Sequence, residues 1–268
     1  DIDSDGAVNL VGNLVTTGVA GDGTTNAGAT GGAVTINTTD SAATITISDI
    51  TTTGGAAFVT SNANGGAAGT ITLTTHADST ITLDDSTITA AGGAGKGTGV
   101  QGAGANIRFS NAVALTTGSA EISTGDTGGA IEFQNTVNGA RALTLTAGTG
   151  NITFGGQVGN GTSLTSIDAT AATININGGT TLDGSDQVTD QSVVTTGTQT
   201  YTGSTVLGAN TTLKAIDGST LQTITFEGTL DSGTPVANAT LGIIGNAAFE
   251  DIVGGTTTAD ALGSLTVS

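Results

Sequence analysis

Apolar and polar residues alternate in short runs along the whole chain. The clearest are Val34-Thr-Ile36, Thr44-Ile-Thr-Ile47, Thr70-Ile-Thr-Leu73, Thr80-Ile-Thr-Leu83, Leu143-Thr-Leu145, Thr173-Ile-Asn-Ile176 and Thr223-Ile-Thr-Phe226. A period of two in β-branched residues predicts strands that bury one face and leave the other polar. Turns rich in Gly, Asn or Asp separate the runs. No apolar stripe of period 3.6 accompanies them, and Gly, Thr, Ile and Val are poor helix formers, so helix is excluded.

A longer period lies above this alternation. Five of the six phenylalanines sit in one pattern, apolar-x-Phe followed four residues later by Val or Leu: Ile107/Phe109/Val113, Ile131/Phe133/Val137, Ile152/Phe154/Val158, Ile224/Phe226/Leu230 and Ala247/Phe249/Val253. Phe109, Phe133 and Phe154 are 24 and 21 residues apart, and Phe226 and Phe249 are 23 apart. The register continues from Phe154 through Ile176 and Tyr201 to Phe226, and backwards from Phe109 through Leu83, Phe58, Ile36 and Leu10. A fixed period of this size marks a repeat architecture. The expectation is an all-β parallel β-helix, a solenoid of about 11 coils of roughly 24 residues, with the rings stacked inside on rungs about 4.8 Å apart.

The whole chain, 1–268, reads as one solenoid domain with less regular coils over 1–104 and regular ones over 105–268. In the first part Leu73 competes with Leu83 for the register, and Ile47 with Ile36. Gly31-Gly32 to Gly54-Gly55 is echoed by Gly65-Gly66 to Gly92-Gly93, and Gly92–Gly104 reads as a long turn. Ile131–Phe154 is echoed by Ile224–Phe249 at an offset of 93 to 95 residues, as if about four coils formed a higher-order unit.

Composition narrows the function classes. Gly numbers 45 of 268 and Pro 1, without a collagen period. A mean hydropathy of +0.18 and the many β-branched residues argue against disorder. There is no Cys, hence no disulfide framework or thiolate metal site, and no Met, so the chain reads as beginning inside a longer precursor or after a processed leader. No apolar run is long enough to span a membrane as a helix. The formal charge is −18, with only Lys96, Arg108, Arg141 and Lys214 positive. That sign opposes nucleic acid and anionic membrane surfaces. It favours solubility and mutual repulsion of rods.

Two stretches carry a resemblance: Gly150-Asn-Ile-Thr-Phe-Gly-Gly-Gln-Val-Gly159, and the segment from Val194 to Leu213 with Thr196-Gly-Thr-Gln-Thr-Tyr-Thr-Gly-Ser-Thr-Val-Leu207 at its centre. They resemble repeats of large bacterial surface proteins of the filamentous-haemagglutinin-like and autotransporter-passenger class. The resemblance covers most of 105–268 and, more loosely, the rest. It implies a right-handed parallel β-helix, export to the cell surface or medium, and a structural or adhesive role. The implied partners are other copies of the chain, or glycans and proteins of a host or cell surface. The right hand agrees with the general preference of parallel crossovers.

Candidate chemistry is sparse. Asp1-Ile-Asp3-Ser-Asp5-Gly6 begins like a calcium loop, with oxygen ligands at alternate positions and a Gly at the turn. Asp1, Asp3 and Asp5 are therefore candidate calcium ligands, although Gly12 stands where a bidentate Glu belongs. An acidic terminal turn is the competing reading. Asp84-Asp85 and Asp183/Asp186/Asp190 are further acidic turns. His76 is the sole histidine and reads as a surface residue, and Gly95-Lys96-Gly97 lacks the spacing of a phosphate loop. A polysaccharide-cleaving β-helix is the enzymatic alternative. It needs a carboxylate pair and aromatic sugar platforms, and no pair stands out in a chain with no Trp and one Tyr. No catalytic residue is assigned. Thr-x-Thr triplets recur, too irregularly for an ice-binding array. Leu262–Ser268 reads as an uncapped strand, which points either to a piece of a longer stalk or to head-to-tail stacking in a filament. The expectation is a non-enzymatic extracellular stalk or surface fibre, with a self-assembling filament subunit as the alternative.

Overall fold

The computed structural model describes residues 1–268 apart from 25, 60, 61, 180, 183–187, 234–237 and 256–260. Every regular element among the described residues is a β-strand, and the long pairings are parallel. The chain winds through three ladders in the same order, circuit after circuit, in a solenoid-like manner.

The first ladder stacks Ile2, Ile36, Leu73, Phe109, Phe133, Phe154, Ile176, Leu207 and Ser232. The second stacks Val8, Ile45, Ile81, Val113, Val137, Val158, Val193, Leu213, Ile243 and Val267. The third stacks Leu14, Ile50, Ile88, Ile122, Leu145, Ala169, Tyr201, Phe226 and Phe249. The period-two pattern explains why. In Ile71–Thr74, for example, Ile71 and Leu73 are buried and the threonines half-buried, so each strand turns its apolar residues into one shared core. At about 4.8 Å per rung, the nine steps of the second ladder span about 43 Å.

Three features differ from the sequence-based register. First, there are two aromatic stacks, on different ladders. Phe109, Phe133 and Phe154 stack with centroids 4.8 and 5.8 Å apart. Tyr201, Phe226 and Phe249 stack at 5.2 and 5.5 Å. Ile176 is followed by Leu207, and Tyr201 lies over Ala169, so the expected single column through Ile176 to Tyr201 does not form. The echo between Ile131–Phe154 and Ile224–Phe249 accordingly links two different faces. The crossing comes from Ser166–Ile176 and Gln199–Leu207, which each run on from the third ladder into the first. Gly203, at φ +124°, makes that corner without a loop; a Cβ there would meet Ala171 O at 1.9 Å.

Second, the circuit is not uniformly 24 residues. Phe109 lies over Leu73, Ile36 and Ile2, at steps of 36, 37 and 34 residues. Leu83 and Leu10 belong to the second ladder, above and below Ile47. Phe58 is in none; its amide donates to Asn26 O.

Third, the extra length is a structure of its own rather than a turn. Segments 16–33, 52–70 and 90–106 leave the third ladder and return to the first. Gly18 and Gly21 donate to Thr53 O and Ala56 O, and Gly54 and Ala57 to Ala91 O and Ala94 O. On the returning side Gly28 and Gly31 donate to Asn64 O and Ala67 O, and Gly65 and Ala68 to Val100 O and Ala103 O. Donors and acceptors recur every third residue, the period of a polyproline-II-type chain rather than of a strand. A second set crosses between outgoing and returning layers: Ala29 to Val19 O, Gly55 to Ala29 O, Gly66 to Gly55 O, Gly93 to Gly66 O and Gly102 to Gly93 O, at 2.8 to 2.9 Å. The result is a two-layered plate, three tiers deep, held by backbone hydrogen bonds. The layers are so close that a Cβ at Gly54 would lie 1.8 Å from Gly66 O, so only glycine fits there.

Candidate functional site

The outward positions of the ladders carry what polar chemistry the chain has. On the third ladder Asp49, Glu121 and Asp168 alternate with Thr87, Thr144 and Thr200 on successive rungs. Carboxylates two rungs apart are separated by about 9.6 Å. A calcium ion holds its oxygen ligands at 2.3–2.6 Å, so no two of these acids share one. The column is a hydroxyl-and-acid surface, with its charges spaced to limit repulsion.

The acidic N-terminal strand does not form a cation cage. Asp3 lies in Ile2–Ser4, paired alongside Asn37, and Asp5 accepts a hydrogen bond from Thr39 Oγ1 at 2.8 Å. Asp1, Asp3 and Asp5 are all exposed along one extended stretch. Among the described residues no three acidic, His or Cys side chains converge as a metal site would require. Asp84 and Asp85 fasten a turn instead: Asp84 accepts from the hydroxyls of Thr116 and Thr117, and Asp85, at φ +51°, packs against Gly118. Asp183 and Asp186 lie outside the described residues. Asp190 pairs with Thr181 through the backbone of a short antiparallel ladder.

His76 occupies an exposed turn. Its Nδ1 is 3.9 Å from Asp78 Oδ2, and Asn111 braces the turn by donating to His76 O and accepting from the Thr75 amide. Lys96 sits at the tip of the third Gly-rich segment, where Gly97 has φ +60° and Gly99 donates to Lys96 O. That is a hairpin tip and not a phosphate loop.

Two further arrangements carry no signal in the sequence. Arg108 and Glu132, neighbours on the first ladder, pair at 3.4 Å; Gln134 also donates to Glu132. With Thr70, Thr72 and Asn106 they border a shallow depression of about 280 Å³. Inside the core, Tyr201 Oη donates to Gln199 Oε1 at 3.0 Å, and Gln199 Nε2 donates to Lys214 O and Thr195 Oγ1. Both side chains are wholly buried. Burial pushes the Tyr201 phenol far above its usual ionisation range. This chain of bonds satisfies every polar group it brings into the interior, which makes it a register pin rather than a reactive centre.

No helix among the described residues is long and apolar enough to cross a membrane. No protein-family model, curated protein or solved structure matches the chain.

Proposed function

We propose that the chain is a section of a non-enzymatic extracellular stalk or fibre of a bacterial surface, built as a right-handed parallel β-solenoid. The observation that carries this reading is the pairing itself. Three internal ladders of Ile, Val, Leu and aromatic residues run unbroken from rung to rung, while the outward positions hold hydroxyls and spaced acids. Such a body extends by adding rungs, resists proteolysis along its length and repels its neighbours through its charge of −18. The right hand follows from the strong preference of parallel crossovers. The partners in this reading are other copies of the chain, or glycans and proteins that meet its polar faces.

The test is surface labelling of intact bacterial cells that express the full-length parent protein, using antibodies to this section, together with electron microscopy of the purified section. Labelling without permeabilisation and straight rods support the stalk. Labelling only after permeabilisation would overturn the extracellular reading. Long filaments at rising concentration would shift the role to self-assembly.

A further inference from the structure

The Gly-rich plate stops at its third tier, well inside the chain, with hydrogen-bond donors left over. By the threefold pattern, Gly18 and Gly21 of the first tier correspond to Gly54 and Ala57 of the second and to Gly92 and Gly95 of the third. On the returning side Gly28 and Gly65 correspond to Gln101. The next circuit has no Gly-rich segment. Its turn closes only the root of the plate: Ser123 O accepts from Ala90 at 2.8 Å, Thr127 O accepts from Gly104 at 2.6 Å, and Thr127 Oγ1 donates to Gly102 O. Farther out, among the described residues, the amides of Gly92, Gly95 and Gln101 have no hydrogen-bond partner. In the two tiers below, the same amides are all bonded.

We propose that this edge is a docking ledge for an extended glycine-rich segment of a partner polypeptide, which adds as a fourth tier. The donors Gly92 and Gly95 are three residues apart, about 9.3 Å in a chain rising 3.1 Å per residue. A β-strand presents its acceptors about 6.6 Å apart and cannot register with them. The incoming segment therefore shares the threefold geometry of the plate. It also needs glycine where it meets the tier below. A Cβ at Gly93 would lie 2.0 Å from Gly55 O, and one at Gly102 1.9 Å from Gly66 O. The recognition is strand addition by main-chain bonds, with the absence of side chains as the specificity. Charge favours carbonyl acceptors here. The three segments carry only Asp22 and Lys96, and Lys96 lies at the tip beside the open edge. This inference stands independently of the stalk reading.

The test uses the intact chain, isotope-labelled for NMR, with the peptide (Gly-Ala-Thr)4 as probe and (Ala-Ala-Thr)4 as control. In the free protein the amides of Gly92, Gly95 and Gln101 exchange fast, while those of Gly54 and Gly65 are protected. With the glycine peptide the three edge amides shift and exchange slows by about tenfold or more; the control leaves them unchanged. Gln101→Pro removes one donor and weakens the peptide's effect, with the protection of Gly54 and Gly65 reporting an intact plate. The proposal is overturned if millimolar glycine peptide moves none of the three amides, or if the control moves them equally. Edge amides already protected in the free protein, or an undiminished effect in Gln101→Pro, would also overturn it.

Discussion

Phe133→Ala is the sharpest perturbation of the ladder account. The ring is wholly buried, with parallel neighbours on both sides at 4.8 and 5.8 Å. Truncation removes the transfer energy of the ring, leaves a cavity that rigid rungs cannot collapse, and deletes two stacking contacts. Core Phe→Ala changes cost about 3–5 kcal/mol, and the upper half applies where the surroundings are pinned by hydrogen bonds on both sides. Phe249 is only partly buried and has one ring neighbour, Phe226, so Phe249→Ala costs about half as much. With a urea m-value of about 3 kcal/mol per M, Phe133→Ala lowers the midpoint by about 1 M or more. Native-state hydrogen exchange then locates the damage. In a nearest-neighbour array, amides of Ile107–Phe109 and Asn151–Phe154 lose protection, and those of Thr223–Phe226 keep theirs. Double-mutant cycles complete the argument. Phe133 and Phe154 couple by about 0.5–1.5 kcal/mol, whereas Phe154 and Tyr201, on different ladders, are additive within about 0.5 kcal/mol. Equal costs for Phe133→Ala and Phe249→Ala, or coupling between Phe154 and Tyr201, would refute the two-stack register.

The plate and the interior polar pin give further outcomes. Gly66→Ala places a methyl 1.9 Å from Ala29 O and strips protection from the plate amides, while Gly23→Ala, with nothing within 4 Å, leaves the exchange pattern unchanged. Limited trypsin digestion cuts first after Lys96, at a hairpin tip, and spares Arg108 and Lys214, which lie in paired strands; early cleavage at Arg108 would contradict the pairing. The Tyr201 phenol is raised by burial, so the folded state holds its proton where the unfolded chain releases it. Its stabilising contribution is full below the unfolded value of about 10 and is lost as pH rises above that value, a slope that Tyr201→Phe removes. At neutral pH Tyr201→Phe leaves Gln199 Oε1 without its donor and costs about 1–3 kcal/mol in chemical denaturation.

Much of this fold is legible in the sequence because a strand writes its burial directly as alternation. The Phe109, Phe133 and Phe154 stack, the paired valines four residues beyond each ring and the absence of helix all follow from that. The face on which a strand lies is a different matter. Each ladder buries the same kind of residue at the same spacing, so Ile224-Thr-Phe226 reads like Ile131-Glu-Phe133 although the two occupy different sides. A circuit of varying length then lets the register slip by one side unnoticed, as it does between Ile176 and Tyr201. The Gly-rich plate is invisible to hydropathy altogether. Its order lies in a threefold pattern of backbone bonds, and its one sequence trace is the repetition of glycine pairs at Gly54-Gly55, Gly65-Gly66 and Gly92-Gly93. The alternation of Asp1, Asp3 and Asp5 is equally compatible with a loop and with an extended stretch, and the structure draws it out, with Asp3 beside Asn37 and Asp5 bonded to Thr39.

The central claim is the winding through three ladders, and disulfide trapping tests it most directly, because the chain contains no native cysteine. Asn175 and Val206 are outward neighbours on adjacent rungs, whereas a single continuous column would place Asn175 beside Thr200. Adjacent parallel rungs, about 4.8 Å apart, satisfy disulfide geometry. The pair Asn175→Cys with Val206→Cys is predicted to oxidise rapidly and raise stability, and the pair Asn175→Cys with Thr200→Cys to remain reduced. Rapid bridging in the second pair and none in the first would contradict the winding.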